Sequence, residues 1–279
     1  MSFRIVIEPG KTRKNYWKDI WRYRELFYIL SWRDIKVRYK QTTLGVLWAV
    51  LRPLLTMIVF TFVFGKVARL ETTSVVPYPI IVFAGMLPWL FFANSLSEAS
   101  NSLVGNERLI TKVYFPRMII PASSVITSFI DFLISFCILI VLFFFYGYAP
   151  PARICLMPLF WILAFLASFG PGLYLTALNV KYRDFRYIIP FMVQFGIFIS
   201  PVGITSEQAL KVIPSHLQWV YYLNPMAGVI DAFRWSIVTD APNPFLNFPF
   251  YISMAMILLL LVLAIFQFRK MERHFADLI

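Results

Sequence analysis

Hydrophobic residues along this chain fall into six long runs separated by short polar segments. Each run is close to the roughly 20 residues that an α-helix needs to cross a hydrocarbon core about 30 Å thick. The runs are continuous rather than alternating, which disfavours the strands of a membrane barrel. The pattern therefore predicts an all-α membrane protein with six transmembrane helices, at residues 44–67, 79–103, 121–148, 154–179, 187–204 and 248–268.

The composition also favours a location in lipid. Of the 279 residues, 59% are hydrophobic and 14% are charged, and the mean hydropathy is +0.71. Such a chain is too apolar for an ordinary soluble domain. The first residues, "MSFRIVIEPG", lack the apolar core of a cleavable leader, so we expect the first span to act as its own insertion signal. We divide the chain into an interfacial segment at 1–43, a transmembrane domain at 44–270 and a tail at 271–279.

The Lys and Arg residues are distributed unequally between the two sides of the predicted membrane. Twenty of the 26 lie in the N-terminal segment, in the loops after the second and fourth spans, or in the C-terminal tail. By the positive-inside rule, this side and both chain termini are cytosolic. The formal net charge of +12 is therefore expected to face anionic lipid or a cytosolic partner rather than nucleic acid.

The N-terminal segment carries an apolar stripe at helical spacing, formed by Tyr16, Ile20, Tyr23, Phe27 and Leu30. Charged residues fall on another face of the same helix. This pattern predicts an amphipathic helix that lies in the cytosolic membrane interface, with its aromatic rings in the headgroup layer. The alternative is a helix whose apolar stripe packs against a protein core.

Three charged residues lie well inside predicted spans, away from the span ends. Arg52 lies in the first span, Glu98 in the second and Asp131 in the third, all in the inner half of the bilayer. An isolated charge near the centre of a span costs about 2.5–3.5 kcal/mol on insertion scales. We therefore predict that Arg52 forms an ion pair with Glu98, Asp131 or both. The alternative is that Arg52 reaches the cytosolic headgroups while the acids face water.

Residues 205–247, after the fifth span, are too long for a turn and too short for a domain. Within them, Asn224 followed by Pro225 is a typical helix start. The apolar face that follows is too short to cross a membrane and is expected to dip into the interface. We predict two short helices that close the outer mouth of the bundle.

The stretch "NERLITKVYFPRMIIP", residues 106–121, joins the second and third spans on the predicted cytosolic side. Leu109, Ile110 and Val113 form a small apolar face, and Pro116 ends the predicted helix. A loop that only reverses the chain does not need these apolar side chains. We interpret them as a surface that enters a pocket on a cytosolic partner. The alternative is a short helix that rests on the membrane surface.

Five segments, in a fixed order, resemble one family of membrane proteins. They are "IKVRYKQTTLGVLWAVLRPLL", "GMLPWLFFANSLSEASNSLVGNERLITKVYFPRMIIPAS", "LNVKYRDFRYIIP", "SPVG" and "YYLNPMAGVIDAFRW". Their order and spacing resemble the membrane subunit of type-2 ABC exporters. Within that family they are most similar to the branch that exports bacterial polysaccharides, meaning O-antigen, capsule or teichoic acid permeases. The resemblance covers almost the whole chain from Ile35 onward, although no single segment is diagnostic.

The resemblance implies a homodimer of six-helix subunits in the bacterial inner membrane, with two separate ATPase chains on the cytosolic side. The loop between the second and third spans then carries the helix that couples to the ATPase, at Asn106, Glu107, Arg108, Leu109, Ile110, Lys112 and Val113. The channel is expected at the dimer interface, lined by the first, second and fifth spans. Because stacking on rings tolerates a sliding sugar chain, the candidates for its lining are Trp48, Phe60, Trp89, Phe92, Phe191, Phe195 and Phe198. Ordinary packing is the alternative role of such rings.

The resemblance also implies export of a lipid-linked polysaccharide. Three basic residues are candidates for contacts with the headgroup phosphates or, equally, for topology determinants: Lys36, Arg38 and Lys40. We expect no enzyme activity, cofactor or metal site in this chain, because "PGKT" lacks the first glycine of a phosphate-binding loop. ATP and Mg²⁺ would belong to the ATPase partner. Two rival functions are a drug exporter of the same superfamily and an ion-coupled flippase in which Glu98 or Asp131 carries protons.

Overall fold

The computed structural model describes residues 16–40, 45–69 and 75–275, and within these ranges the chain forms helices and turns and no strand. The all-α membrane fold is therefore confirmed. The α-helices are α1 Tyr16–Arg22, α2 Arg24–Lys40, α3 Gly45–Phe60, α4 Tyr78–Gly105, α5 Glu107–Lys112, α6 Ile119–Tyr146, α7 Met157–Lys181, α8 Phe185–Ile199, α9 Ser206–Val212, α10 Gln218–Tyr221, α11 Pro225–Ile237 and α12 Phe248–Met271. A π-helix continues α3 over Thr61–Val67, and short 3-10 turns lie at Ala152–Leu156, Ser215–Leu217, Pro244–Leu246 and Glu272–His274.

Among the described residues, five helical stretches are long and apolar enough to cross a membrane: Leu47–Val67, Tyr78–Gly105, Ile119–Tyr146, Ala152–Lys181 and Phe248–His274. They coincide with five of the six predicted spans. The fifth predicted span differs, because α8 has 15 residues and is about 22 Å long, shorter than a hydrocarbon core of about 30 Å. Ser200 is extended and Pro201 has no N–H to donate, so α8 ends just before "SPVG", the segment within the predicted span 187–204 at which the sequence also indicates a break.

Helix α4 forms the centre of the bundle and packs against α6, α7 and α11. Its apolar side chains are almost fully buried, with Ile80, Phe83 and Met86 at 0% exposure. Three of its four serines, Ser95, Ser100 and Ser102, are buried as well, and the last two satisfy their hydroxyls by donating to carbonyls three residues earlier in the helix. Because these hydroxyls form hydrogen bonds within their own helix, a span that looks partly polar in the sequence can occupy the core.

Small residues and hydrogen bonds join α4 to α7. A Cβ placed on Gly172 would lie 3.3 Å from the Ala99 side chain, so the two helices approach closely at this point. The Thr176 hydroxyl donates to the carbonyl oxygen of Ala99 at 2.8 Å. The Asn179 amide donates to the Ser100 carbonyl oxygen, also at 2.8 Å. The pair therefore forms a rigid frame for the peripheral helices.

Helices α3 and α8 lie at the edge of the isolated chain. Most of their large apolar side chains are exposed, including Trp48 and Ile58 on α3 and Phe198 on α8. Ile189 is the buried residue of α8. In lipid such faces are free to contact either acyl chains or another protein surface.

The N-terminal helices α1 and α2 carry the predicted apolar stripe, but the stripe faces the protein. Tyr16 and Leu30 are buried, and Phe27 is partly buried against the same cluster, which contains Phe268 of α12. The structure therefore favours the alternative reading of the stripe as core-facing. Four other rings of these helices face outward: Trp17, Trp21, Tyr28 and Trp32.

At the opposite end of the bundle, residues 206–237 form three helical segments, α9 to α11, rather than the two predicted. The predicted start of α11 is confirmed: the Asn224 side chain accepts a hydrogen bond from the Met226 backbone N–H at 3.0 Å, and Pro225 occupies the first turn. Helix α11 is buried over most of its surface: Val229, Ile230 and Phe233 have 0% exposure, whereas Asp231 and Trp235 are partly exposed.

Candidate functional site

A polar cavity of about 340 Å³ lies between α2, α3, α4 and α6, closer to the end of the bundle where α1 begins and α12 ends. We call it the Arg38 cavity. Its polar lining residues come from all four helices and include both predicted intramembrane acids: Arg38, Tyr39, Arg52, Asn94, Glu98, Asp131 and Ser135. A concave polar site within a membrane bundle is unusual unless it binds something or moves charge.

One guanidinium group holds two carboxylates in this cavity. Arg38 Nη2 lies 2.7 Å from Glu98 Oε1, and Arg38 Nη1 lies 2.5 Å from Asp131 Oδ2. The Tyr39 hydroxyl donates to the other oxygen of Asp131. These contacts tie α2 to α4 and α6, and they offset much of the cost of placing two acids among transmembrane helices.

The predicted role of Arg52 is wrong. Arg52 lines the same cavity and is exposed, and it forms no ion pair with either acid among the described residues. The cation that pairs with the acids is Arg38, because α2 runs along α6 and brings its last turn beside Asp131. Of the other two headgroup candidates, Lys36 lies 5.2 Å from the Trp32 ring centroid, and both Lys36 and Lys40 are exposed.

The predicted coupling segment forms the short helix α5, and its apolar face packs against the protein itself instead of facing outward. Ile110 is 4% exposed and Leu109 is partly buried, and both pack against the chain's own N-terminal and C-terminal helices. They are therefore not presented to a partner as predicted. The exposed residues are Glu107, Arg108, Thr111, Lys112, Val113 and Tyr114, the last two at 50% exposure each.

The start of this segment is fixed to α2 by a hydrogen bond. The Asn106 side chain accepts from Arg33 Nη2 at 2.9 Å and donates to the Ser102 carbonyl oxygen at 2.8 Å. Arg33 also pairs with its neighbour Asp34. A displacement of α5 would therefore act directly on α2, which carries Arg38.

The seven predicted channel aromatics do not share one environment. Trp48, Phe191, Phe195 and Phe198 are exposed on the isolated chain, while Phe60 and Phe92 are partly buried. Trp89 is 4% exposed and lies behind α8, where a Cβ on Gly196 would come within 2.6 Å of its ring. Trp89 is therefore a packing residue in this structure. Phe191 and Phe195 are in ring contact, with centroids 4.3 Å apart.

A carboxylate joins three elements at the end of the bundle where α1 begins and α12 ends. Glu272 Oε1 accepts from the Tyr16 hydroxyl at 3.2 Å and from the Arg117 backbone N–H at 2.7 Å. The Arg117 guanidinium also donates to the Glu272 carbonyl oxygen, and Arg269 lies 4.8 Å from the Tyr16 ring centroid. We call this group the Glu272 cluster.

A second cavity, of about 600 Å³, lies at the opposite end, between α9, α11 and the start of α12. We call it the Asp231 cavity. Asp231 accepts from the Ser206 hydroxyl at 2.6 Å and from the Tyr222 hydroxyl at 3.2 Å. Burial raises the pKa of Asp231 to about 6, although these two donors and nearby Arg234 oppose the rise.

Arg234 forms the inner wall of the Asp231 cavity. It is 4% exposed and donates to three backbone carbonyls, those of Ile81, Val202 and Ile204. A Cβ on Gly85 would lie 2.5 Å from its guanidinium, so the glycine makes room for it. Sequence reasoning counted Arg234 as a charge in an external loop and missed this site. The sequence pattern that could have revealed it is an acid, Asp231, three residues before an arginine in an otherwise apolar helix.

These features define a multi-pass α-helical membrane protein with a polar cavity toward each end of its bundle. Residues 25–238 match the family described as ABC-2 type transporter. The chain therefore belongs to the ABC-2 type transporter family.

Named relatives align with most of the chain. The O-antigen export system permease protein RfbA of Klebsiella pneumoniae is 29% identical over 258 residues, which cover 91% of this chain and 95% of the relative. The RfbA protein of Myxococcus xanthus is 29% identical over 222 residues, covering 78% and 82%. The polysialic acid transport protein KpsM of Escherichia coli is 20% identical over 239 residues, covering 85% and 91%.

Proposed function

We propose that this chain is the membrane-spanning subunit of an ATP-driven exporter that moves lipid-linked polysaccharide across the bacterial inner membrane. The observation that carries the proposal is the match to O-antigen export permeases over nearly the full length of both chains. Both termini lie on the cytosolic side, because twenty of the 26 Lys and Arg residues belong to that side. The Asp231 cavity is then at the outer face.

Two copies of the chain would form the channel, and two ATPase chains would drive it. The exposed apolar faces of α3 and α8 support this assembly, since an isolated subunit leaves them without a protein partner among the described residues. The exposed rings Trp48, Phe191, Phe195 and Phe198 would line the path, where they offer weak stacking to sugar rings along a polymer. Weak contacts allow the polymer to slide.

The ATPase would dock on the exposed side of α5. Val113 and Tyr114 provide the apolar part of this surface, and Glu107, Arg108 and Lys112 provide the charged rim. Movement of α5 would reach α2 through the contact between Arg33 and Asn106, and reach the last span through the Glu272 cluster.

The phosphates of the lipid anchor would be bound near the Arg38 cavity. Arg52 is exposed there with its charge unpaired among the described residues, and Lys36 and Lys40 lie on the same helix as Arg38. Arginine binds phosphate oxygens through two parallel hydrogen bonds. Both acids are already paired with Arg38, which speaks against a flippase that uses them as free proton carriers.

The test is export in cells that lack the gene. Loss of the gene should leave the polysaccharide inside the cell, and the wild-type gene should return it to the surface. A strain that keeps its surface glycan but becomes sensitive to toxic small molecules would instead support the drug exporter. Transport by purified protein that follows a proton gradient, without ATPase subunits, would support the flippase.

A further inference from the structure

We propose that the Asp231 cavity is a saccharide-binding site, which holds a few sugar residues of the polymer at the outer face. This inference rests on the proposed export of polysaccharide and adds a site to it. The cavity volume of about 600 Å³ lies within the range of about 300–1,000 Å³ that is typical of ligand pockets.

The lining of the cavity offers both donors and acceptors. Glu207, Gln208, Lys211 and Asn247 contribute a carboxylate, two amides and an ammonium group, and Tyr222 and Phe250 contribute rings. Glu207, Lys211 and Asn247 are exposed and have no side-chain hydrogen bond within the described part of the chain. Sugar hydroxyls both donate and accept, so this mixture matches them better than a ligand of one kind.

The charges around the cavity argue against the other ligand classes. Glu207, Asp231 and Asp240 oppose an anion, while Lys211 and Arg234 oppose a cation. No three His, Cys, Asp or Glu side chains of the described residues form a metal-binding group. A neutral, hydroxyl-rich ligand is the class that meets no opposing charge here.

Asp231 is the residue that we expect to contact the sugar most strongly. Its two oxygens already accept from Ser206 and Tyr222, and a carboxylate has further lone pairs for sugar hydroxyls. Burial raises its pKa, so keeping this group charged at neutral pH is costly. A costly charge in a cavity is typical of a functional site. Arg234, by contrast, donates to three backbone carbonyls and forms part of the cavity wall.

The first test is protection of a single cysteine in living cells. Cys137 and Cys155 are replaced by serine, and Asn247→Cys is treated from outside with a membrane-impermeant maleimide. Leu246→Cys is the matched control, because Leu246 is 82% exposed and is not part of the cavity lining. In cells that export glycan, we expect slower labelling of the Asn247→Cys protein than in cells whose glycan synthesis is blocked, with no change in the control.

The second test uses the purified protein in nanodiscs and fragments of two to six sugars prepared from the host's own surface polysaccharide. Loss of a hydrogen bond to a charged group predicts about tenfold weaker binding for Asp231→Asn. Asp184→Asn, an exposed acid at the other end of the bundle, should bind like the wild type.

The outcomes separate the site from the proposed function. If the cells export glycan but neither cysteine is protected and Asp231→Asn binds the fragments normally, the saccharide site is refuted and the exporter stands. If deletion of the gene leaves glycan export intact, the proposed function fails and the saccharide site fails with it.

Discussion

Replacing Asp231 by asparagine should stabilise the protein at neutral pH. The carboxylate is partly buried, and burial raises its pKa from 3.8 to about 6. The folded state therefore holds the proton more tightly than the unfolded state does. The resulting stability is fully present below pH 3.8 and is lost as the pH rises through about 6. Asparagine cannot ionise, and its carbonyl oxygen can still accept a hydrogen bond from Ser206 or Tyr222.

The size of the effect follows from the two pKa values of Asp231. One pKa unit corresponds to about 1.4 kcal/mol, so the change from 3.8 to about 6 corresponds to at most about 3 kcal/mol at pH 7. In a chain of this size, each kcal/mol moves the unfolding temperature by roughly 2–4 °C. The gain of Asp231→Asn over wild type should therefore reach several degrees above pH 7 and disappear below pH 4.

The assay is thermal unfolding of the purified protein in detergent, followed by tryptophan fluorescence between pH 4 and pH 8. The difference between the two profiles isolates Asp231 from the other ionisable groups, because both proteins share those groups. Asp184→Asn controls for the loss of a negative charge, since Asp184 is exposed. Parallel profiles for wild type and Asp231→Asn across this range would refute the reasoning.

Three further predictions concern the rest of the bundle. Arg38→Ala should lower stability by about 1–3 kcal/mol, less than a fully buried pair because one of its two carboxylates is 50% exposed, whereas Arg52→Ala should change little; chemical unfolding checks both. Gly196→Ala should cost about 1–3 kcal/mol, because its Cβ would lie 2.6 Å from the indole behind it, while Gly105→Ala has open space and should be neutral in the same assay. Tyr114→Asp should leave folding intact but abolish co-purification of the ATPase, because an exposed ring would be replaced by a charge at the docking surface.

The long elements of the fold were predictable because they depend on local physics. A continuous apolar run of about 20 residues has one stable form in lipid, which is why five spans coincide with the predicted ones. The start of α11 was predictable for the same reason, since Asn224 and Pro225 act on their own first turn. The break after α8 was recognisable in "SPVG", because a proline cannot donate to a helix, but the predicted span was extended to residue 204 because the residues beyond the break are apolar.

The candidate sites were less predictable, because they depend on which helices become neighbours. Helical spacing placed Glu98 and Asp131 at a similar depth, but it could not show that Arg38 would arrive from another helix. The apolar face of α5 was recognised, yet only packing shows that Ile110 faces its own chain. The Asp231 cavity joins residues from three segments, so no local pattern reveals its shape.

The Glu272 cluster also sets an order for the maturation of the chain. Tyr16 lies 256 residues before its partner Glu272, and the rings that cover it include Phe268 and Phe275. A ribosome that adds about 5–20 residues per second needs roughly 13–50 s to cover that distance. During this interval α1 cannot pack in its final position. Its apolar stripe must therefore contact another apolar environment, and the nearby membrane surface provides one. Docking of the first helix is therefore among the last events of biosynthesis, and a truncated chain is recognisable by an N-terminus that is still undocked.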